Sequence, residues 1–255
     1  METKYPILEF DGESAAIFEP SKVYRRVDGI PERCVLPIYH TVIAGLIEKN
    51  LLEPVLNIGT PLGPMPVYRM THAGVELTVA HPGLCAPMSA AILDELIAYG
   101  CRKFIACGSC GVLDGSLPLD TVVVPSAAVR DEGTSYHYVA PSREIAAQPE
   151  VVQVIEAVLQ DHKAPYRLAK TWTTDAIYRE TATRIARRKS EGCLTVEMEC
   201  AAFLAVAAFR KVQFGQLLAP SDDVSGDECY PRLGKEYASF AERVFRLALE
   251  ACTKL

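Results

Sequence analysis

Two carboxylates, Glu197 and Glu199, stand two positions apart where the sequence changes character. The apolar residues before them alternate as on a strand, and the Ala-rich run from Ala201 to Arg210 predicts a buried helix. An extended backbone would turn both carboxylates to one side. A carboxylate buried at such a junction is costly unless it is hydrogen-bonded. We interpret the pair either as a cap or structural ion-pair partner, or as an acceptor for the hydroxyl groups of a ligand.

The stretch Gly108-Ser-Cys-Gly111 follows a predicted strand and offers flexible backbone, exposed amides and a hydroxyl. Such a segment suits an anion or the edge of a ring, and its alternative interpretation is a tight turn. It matches neither a Walker loop nor the G-x-G-x-x-G dinucleotide pattern nor the G-x-S-x-G elbow. Cys107 and Cys110 form one C-x-x-C with no second pair, so no metal or redox site is predicted.

Ser221-Asp222-Asp223 follows the last predicted strand. An aspartate in a pocket can act as a general acid, whereas adjacent aspartates after a strand also serve as helix caps or turn formers. In open α/β sheets, ligands bind beyond the carboxyl ends of strands. We therefore expect this stretch, the glycine stretch and the glutamate pair to converge on one site.

The elements that must position these residues alternate between strand-like and helical patterns along the chain. With 255 residues and 49% hydrophobic content, the sequence predicts one large core and an α/β fold with a mixed or parallel sheet covered by helices. We divide it into an N-terminal arm, 1–33, and one domain, 34–255. Strands are predicted at Cys34–Ile38, Pro54–Ile58, Phe104–Cys107, Val122–Val129, Leu168–Thr173 and Phe214–Ala219, with a hairpin of Val67–Met70 and Val75–Ala80. Helices are predicted at Tyr39–Leu52, Met88–Tyr99, Pro149–His162, Glu180–Glu191 and Leu233–Cys252.

Composition excludes several classes of function. A net charge of -6 argues against a nucleic-acid-binding surface. The sequence lacks an apolar run of the roughly 18 residues that span a membrane, and its N-terminus is unlike a signal peptide. Nine cysteines without a paired framework suit a reducing compartment, so a cytoplasmic protein is expected.

Together these motifs resemble the nucleoside phosphorylase superfamily, which includes purine nucleoside and uridine phosphorylases. Val196-Glu-Met-Glu199 resembles the ribose-binding signature, and Gly108-Ser-Cys-Gly111 is similar to the phosphate and base loop of the hexameric purine enzymes. Ser221-Asp222 resembles the Ser-Asp pair of the purine enzymes and nucleosidases, and the run from Val129 to His137 is similar to a uridine phosphorylase loop. The motifs stand in the family's order from about residue 34 to the end.

The resemblance implies a single-domain, three-layer α/β/α fold with a central mixed, partly barrel-like sheet. It implies a pentosyltransferase that uses phosphate to cleave a nucleoside into free base and ribose 1-phosphate, with no metal and no organic cofactor. A dimer-based homo-oligomer, up to a hexamer, is also implied. The implied residues are Glu199, Met198 and Glu197 for ribose, Asp222 as the acid at purine N7, Cys110, Gly111, Ile177 and Tyr178 for the base, and Gly108, Ser109 and His40 for phosphate.

The sequence departs from the family at the phosphate site. Phosphorylases of the family usually hold phosphate with several arginines. The loop that carries the first of these arginines corresponds to Pro37–Val42 here, which contains none. Ala106 stands at the position of the second, and Leu62–Pro66 lacks the third, which a neighbouring subunit supplies. His40, Arg69 and His81 are candidate replacements. Three functions therefore stay open: a phosphorylase, a nucleosidase that uses water, with His40 as the candidate base, and a nucleoside-binding protein without turnover.

The base is open between two classes as well. Asp222 favours a purine because its chemistry is tied to N7, whereas the Arg130–His137 loop favours uridine. Thr181 and Thr183 stand where uridine phosphorylases carry the Gln and Arg that contact uracil.

Overall fold

A computed structural model describes residues 4–13, 15–118, 120–226, 228–231 and 234–255. Within them the strands are β1 Arg33–Pro37, β2 Glu53–Thr60, β3 Gly63–His72, β4 Val75–Ala80, β5 Lys103–Val112, β6 Val122–Asp131, β7 Glu144–Ala146, β8 Tyr166–Thr174, β9 Cys193–Glu197, β10 Gln213–Asp223 and β11 Tyr230–Pro231. The α-helices are α1 Pro20–Val23, α2 His40–Glu48, α3 Cys85–Tyr99, α4 Pro149–Asp161, α5 Ala182–Ser190, α6 Cys200–Arg210 and α7 Lys235–Lys254. Short 3-10 turns occupy Pro6–Leu8, Ser135–His137 and Ile177–Arg179.

The strands form one mixed sheet that closes on itself over part of its length. Its order is β11-β10-β6-β8-β9-β5-β1-β4-β3-β2, and β10 also pairs with β5, so β5, β9, β8, β6 and β10 form a closed ring. The antiparallel strands β2, β3 and β4 extend the sheet from β1. This topology confirms the expected mixed, partly barrel-like sheet.

Helices cover both faces of the sheet and bury one core on each. On one face, α4 and α7 contribute Ile155, Val158 and Phe245 to an apolar cluster with the strands. On the other, α3 and α6 pack Leu93 and Phe203 against the sheet. Each such fully buried side chain contributes about 1.5–3 kcal/mol through removal of apolar surface from water. The three-layer α/β/α prediction is confirmed.

Helix α6 is apolar on almost every side because it lies between the sheet and α3. The first eight residues of the helix, 200–207, are all buried. Phe203 stacks on Phe214 of β10 with ring centroids 4.9 Å apart. The small side chains let the helix approach its neighbours closely. The first turn of α6 is thereby held rigidly beside the carboxyl end of β9.

Several predicted boundaries were wrong. Strand β5 continues through Gly108–Gly111, and β10 continues through Ser221-Asp222-Asp223, because the two strands pair in parallel along their whole length. Pro125 lies at a bulge in β6, where the pairing with β8 shifts between Pro125 and Ala127. The β2–β3 hairpin turns between Thr60 and Gly63, which pair with each other.

The arm is tied to the domain by polar contacts. Arg210 of α6 pairs with Glu19 and with Asp94 of α3, where its Nε donates at 2.6 Å. Val27 N–H donates to the Tyr99 carbonyl at 2.9 Å. The division between residues 33 and 34 stays a prediction, and Leu233, the predicted start of α7, lies outside the described residues. Among the described helices, none combines the length and apolar character needed to cross a membrane.

Candidate active site

A cavity of about 790 Å³ opens at the carboxyl ends of β5, β9 and β10. It brings the three stretches singled out in the sequence together. Most of the predicted site residues line it: Ser109, Cys110, Gly111, Ile177, Tyr178, Glu197, Met198, Glu199 and Asp222. Of the predicted phosphate residues, Gly108 and His40 do not. Gly108 is buried against Ile38, and His40 is an exposed residue at the start of α2.

Glu197 is held by the fold at both carboxylate oxygens. Its Oε1 accepts the Thr173 hydroxyl at 2.6 Å, and its Oε2 accepts the backbone N–H groups of Glu199 at 2.8 Å and Cys200 at 2.6 Å. These N–H groups open α6 and have no partner within the helix. Burial and the charge of Glu199 raise the pKa of Glu197, while the three donors oppose the rise. Glu197 caps a helix and at the same time lines the cavity.

Glu199 is buried as well, and it faces the cavity from the N-cap position of α6, directly before Cys200. Its Oε1 accepts the backbone N–H of Cys85 at 2.8 Å, at the beginning of α3. Burial raises the pKa of Glu199, and the N–H groups of Cys85 and Met198 oppose that rise. A carboxylate has about four acceptor positions, so Glu199 keeps capacity for ligand hydroxyls.

The backbone of Cys85 is unusual. Its φ of 63° lies in the left-handed region, which non-glycine residues enter rarely. This conformation accompanies the donation of its N–H to Glu199, 114 residues away in sequence. Strain of this kind concentrates at functional sites, where the surrounding structure holds it in place.

Asp222 reaches the cavity through a bulge in β10. Pairing with β5 shifts between Pro220 and Asp222, which leaves Ser221 as the extra residue and places Asp222 opposite Gly111. A bulge of this kind redirects side chains at the end of a strand. The Ser221 hydroxyl lies 2.9 Å from Asp222 Oδ2 and 3.3 Å from the Cys110 carbonyl oxygen. Asp222 is thereby oriented by its neighbour.

The glycines of β5 allow close packing around the cavity. A Cβ on Gly108 would stand 2.9 Å from Ile38 Cδ1, and one on Gly111 would stand 2.9 Å from Val196 Cγ1. The sequence interpretation of Gly108–Gly111 as a loop with exposed amides was therefore wrong, because the stretch is paired strand. Ser109 is its exposed side chain at the cavity, and the half-buried Tyr237 of α7 lies next to it.

The mouth of the cavity is apolar. Tyr178 is 95% exposed and Ile177 is 53% exposed, and Leu84 lies on the rim with them. Flat and apolar side chains suit the faces of a base ring. Of the predicted base residues, Ile177 and Tyr178 thus lie at the open side of the cavity, whereas Cys110, which is buried, and Gly111 line it from β5.

Sequence reasoning missed Glu180, Cys85 and Cys229, which also line the cavity. The prediction placed Glu180 in helix α5, but that helix begins at Ala182. Glu180 stands two residues after the predicted base residue Tyr178, and this spacing could have indicated that it lies at the cavity. Cys85 acts through its backbone N–H, which carries no sequence signature.

The described lining contains four carboxyl groups and no lysine, arginine or histidine. Arg69, a predicted replacement cation, instead donates to the carbonyl of Gly29 in the arm at 2.9 Å. His81 Nδ1 accepts the Gly83 N–H at 3.0 Å, and burial lowers the pKa of its imidazole. His81 is thus neutral near pH 7. No group of three His, Cys, Asp or Glu within the described part of the chain is arranged to hold a metal ion.

Comparison with known proteins places this geometry in a family. The model of the phosphorylase superfamily matches residues 42–253. A guanosine phosphorylase of Halorubrum lacusprofundi is 26% identical over 196 residues, covering 74% of this chain and 80% of that protein. A DeoD-type purine nucleoside phosphorylase of Shewanella oneidensis is 24% identical, covering 83% of this chain and 89% of that protein.

Solved structures share the fold. A purine nucleoside phosphorylase of Toxoplasma gondii, in complex with immucillin-H, superposes with a TM-score of 0.75 at 18% identity, over 88% of this chain and 91% of that one. An AMP nucleosidase of Bacteroides thetaiotaomicron gives 0.73 at 22% identity, over 90% of each chain. At these identities the likeness concerns the fold alone.

Proposed function

Because the chain belongs to the phosphorylase superfamily, we propose that it is an enzyme that cleaves the N-glycosidic bond of a purine nucleoside. The observation that carries this proposal is the placement of Glu199 and Asp222 in one cavity with an apolar mouth. Glu199 serves the sugar and Asp222 serves the base. The two groups act on opposite sides of the bond that breaks.

At the sugar, an ionised Glu199 accepts hydrogen bonds from ribose hydroxyls. As the bond stretches, the sugar acquires positive charge, and these charge-assisted bonds strengthen. The Cys85 N–H fixes the carboxylate in advance, so little reorganisation is needed in the transition state. Met198 lines the cavity beside Glu199 and packs on the sugar.

At the base, Asp222 donates a proton to N7 as the purine leaves. The departing base carries the electron pair of the broken bond, and protonation converts it to a neutral leaving group. The Ser221 hydroxyl holds one carboxylate oxygen of Asp222 at 2.9 Å. Ile177, Tyr178, Cys110 and Gly111 surround the ring.

We propose inorganic phosphate as the acceptor, with ribose 1-phosphate as product and Ser109 as a phosphate contact. Support comes from the relatives, which are named guanosine and purine nucleoside phosphorylases. Gly108 shapes the strand behind this position, and His40 at the start of α2 is the side chain proposed to contact a bound phosphate. A homo-oligomer that completes the site belongs to the same proposal.

Hydrolysis is the second candidate, and one observation favours it. The described lining offers a phosphate dianion four carboxyl groups and no cationic side chain. A neutral water molecule meets no such repulsion. Product analysis separates the candidates: inosine and adenosine are incubated with and without phosphate, and the sugar product is identified. Ribose 1-phosphate formed only with phosphate supports phosphorolysis, whereas free ribose formed at the same rate without phosphate overturns it in favour of hydrolysis.

A further inference from the structure

Glu180 introduces a second carboxyl group at the base side of the cavity. It follows the 3-10 turn Ile177–Arg179 and precedes α5, so its backbone is fixed at both ends by ordered structure. It is half-buried and lines the same cavity as Asp222. No described residue donates a hydrogen bond to its carboxylate. A half-buried carboxyl group without an internal partner is available to a ligand.

Three titratable or charged side chains from different parts of the chain lie near Glu180. Asp222 of β10 repels its charge, Arg184 of α5 attracts it, and Cys229 before β11 lies near both carboxyl groups. Arg184 is itself engaged, since its Nη2 lies 2.6 Å from Asp131 Oδ2. Burial, followed by the charge of Asp222, raises the pKa of Glu180 to about 7. The group can therefore be either an acceptor or a donor near neutral pH.

Purines present two neighbouring groups on the edge that contains N7. Adenine shows the N7 acceptor beside a 6-amino donor, whereas guanine and hypoxanthine show N7 beside a 6-oxo acceptor. If Asp222 meets N7, a second carboxyl group adjacent to Asp222 meets the substituent at C6. This step rests on the proposed function, which places Asp222 at N7.

We propose that Glu180 determines specificity at purine C6 and selects 6-amino purine nucleosides over 6-oxo ones. Its carboxylate accepts a hydrogen bond from the 6-amino group and faces a 6-oxo group with like partial charge. A site that pairs a buried polar group with one substrate discriminates strongly against an analogue that leaves it unpaired.

The test compares kcat/KM for adenosine and inosine in the wild type, Glu180→Gln and Glu180→Ala, at about pH 8. We expect the wild type to favour adenosine, and we expect each substitution to reduce the adenosine-to-inosine ratio by about tenfold, since a charge-assisted bond is replaced by a neutral one or by none. Glu150→Gln, the same change at an exposed residue of α4 outside the cavity, is the control and should keep the ratio. A merely structural role for Glu180 would lower both rates together.

A pH series gives an independent readout. As the pH rises through about 7, Glu180 loses its proton and changes from a donor that tolerates a 6-oxo group to an acceptor for a 6-amino group. Burial and the neighbouring carboxylates raise the pKa of Cys229, so its thiol stays protonated over this range. The wild-type ratio should rise between about pH 6 and about pH 8, and the ratio of Glu180→Gln should stay flat.

The outcomes are distinct. Cleavage of both nucleosides with an equal ratio in wild type and variants overturns the role of Glu180 and leaves the proposed function standing. A wild type that cleaves inosine in preference to adenosine at about pH 8 also overturns the role of Glu180 and leaves the proposed function standing. Absence of cleavage of every nucleoside overturns the proposed function and this inference with it.

Discussion

The backbone N–H of Glu199 donates to the carboxylate of Glu197 at 2.8 Å. The two glutamates are separated by one residue, yet they take different tasks. Glu197 caps the N-terminus of α6 and also accepts a hydrogen bond from the Thr173 hydroxyl. Glu199 accepts a hydrogen bond from the Cys85 N–H and faces the cavity. The structural and the ligand-binding interpretations of the sequence each describe one member of the pair.

Replacing Glu199 tests the ligand-binding task. Glu199→Gln keeps the size of the side chain and an acceptor for Cys85, but it removes the charge that stabilises a cationic sugar. We expect kcat/KM for a cleaved nucleoside to fall by about 100-fold or more, with little change in unfolding free energy. Steady-state kinetics and urea denaturation measure the two quantities. A rate equal to that of the wild type would remove Glu199 from the mechanism.

Replacing Glu197 tests the structural task. Glu197→Ala leaves the N–H groups of Glu199 and Cys200 and the Thr173 hydroxyl without their acceptor. We expect a loss of about 2–4 kcal/mol in unfolding free energy, because helix N–H groups are left unpaired in a buried place. Urea denaturation of Glu197→Ala beside Glu199→Ala provides the comparison. Equal losses in the two variants would contradict the division of tasks.

The buried pair also predicts how stability depends on pH. Burial raises the pKa of both carboxyl groups, so the folded protein retains protons that the unfolded chain releases. Their contribution to stability is complete below the ordinary glutamate pKa and is lost as the pH rises through the raised values. We expect the unfolding free energy of the wild type to decline from about pH 5 upward more steeply than that of Glu197→Gln/Glu199→Gln. Parallel pH profiles would argue against the raised pKa values.

Asp222 is tested by varying the leaving group. We expect Asp222→Asn to reduce cleavage of a purine nucleoside by about 100-fold to 10,000-fold, because the amide cannot protonate N7. The same variant should cleave p-nitrophenyl riboside at nearly the wild-type rate, since that leaving group needs no proton. Initial rates with the two substrates make the comparison. An equal loss on both substrates would assign Asp222 a structural role instead.

The contact between Arg210 and the arm predicts how strongly the arm is anchored to the domain. Arg210 holds Glu19 of the arm and Asp94 of α3, and all three side chains are mostly buried. Removing one partner of a buried ion pair leaves an uncompensated charge, so we expect Arg210→Ala to lower the unfolding free energy by about 3–5 kcal/mol.

Glu19→Gln, a milder change, should speed limited proteolysis between residues 4 and 18, with Glu13→Gln as the control. Identical digestion of the variants and the wild type would show that this contact does not anchor the arm.

The sequence predicted the order of the elements and the convergence of the site more successfully than their ends. The β3–β4 hairpin and the strand-to-helix change at residues 193–210 were predicted from local periodicity, which both elements follow. The ends of β5 and β10 were missed because their parallel register is fixed by pairing between segments more than 100 residues apart. Local sequence carries no trace of that register.

The same limit applies to the site. The acidic side chains of Glu197, Glu199 and Asp222 were recognisable in the sequence as candidates for acid and hydrogen-bonding chemistry. The different roles of Glu197 and Glu199 depend on their contacts with Thr173 and Cys85, which lie far away in sequence and are brought near only by the fold. Glu180 was predicted as the first residue of a helix, but that helix begins at Ala182 and Glu180 precedes it. Its place at the cavity follows from the turn that precedes α5.

The most direct test of the central claim measures release of free base from adenosine, inosine and uridine by the wild type, Glu199→Gln and Asp222→Asn, with phosphate present. The claim is that one cavity joins a sugar carboxylate and a base acid to break the N-glycosidic bond. We predict base release from a purine nucleoside by the wild type and a loss of about 100-fold or more in each variant. Release of no base from any nucleoside by a folded wild type would contradict the claim.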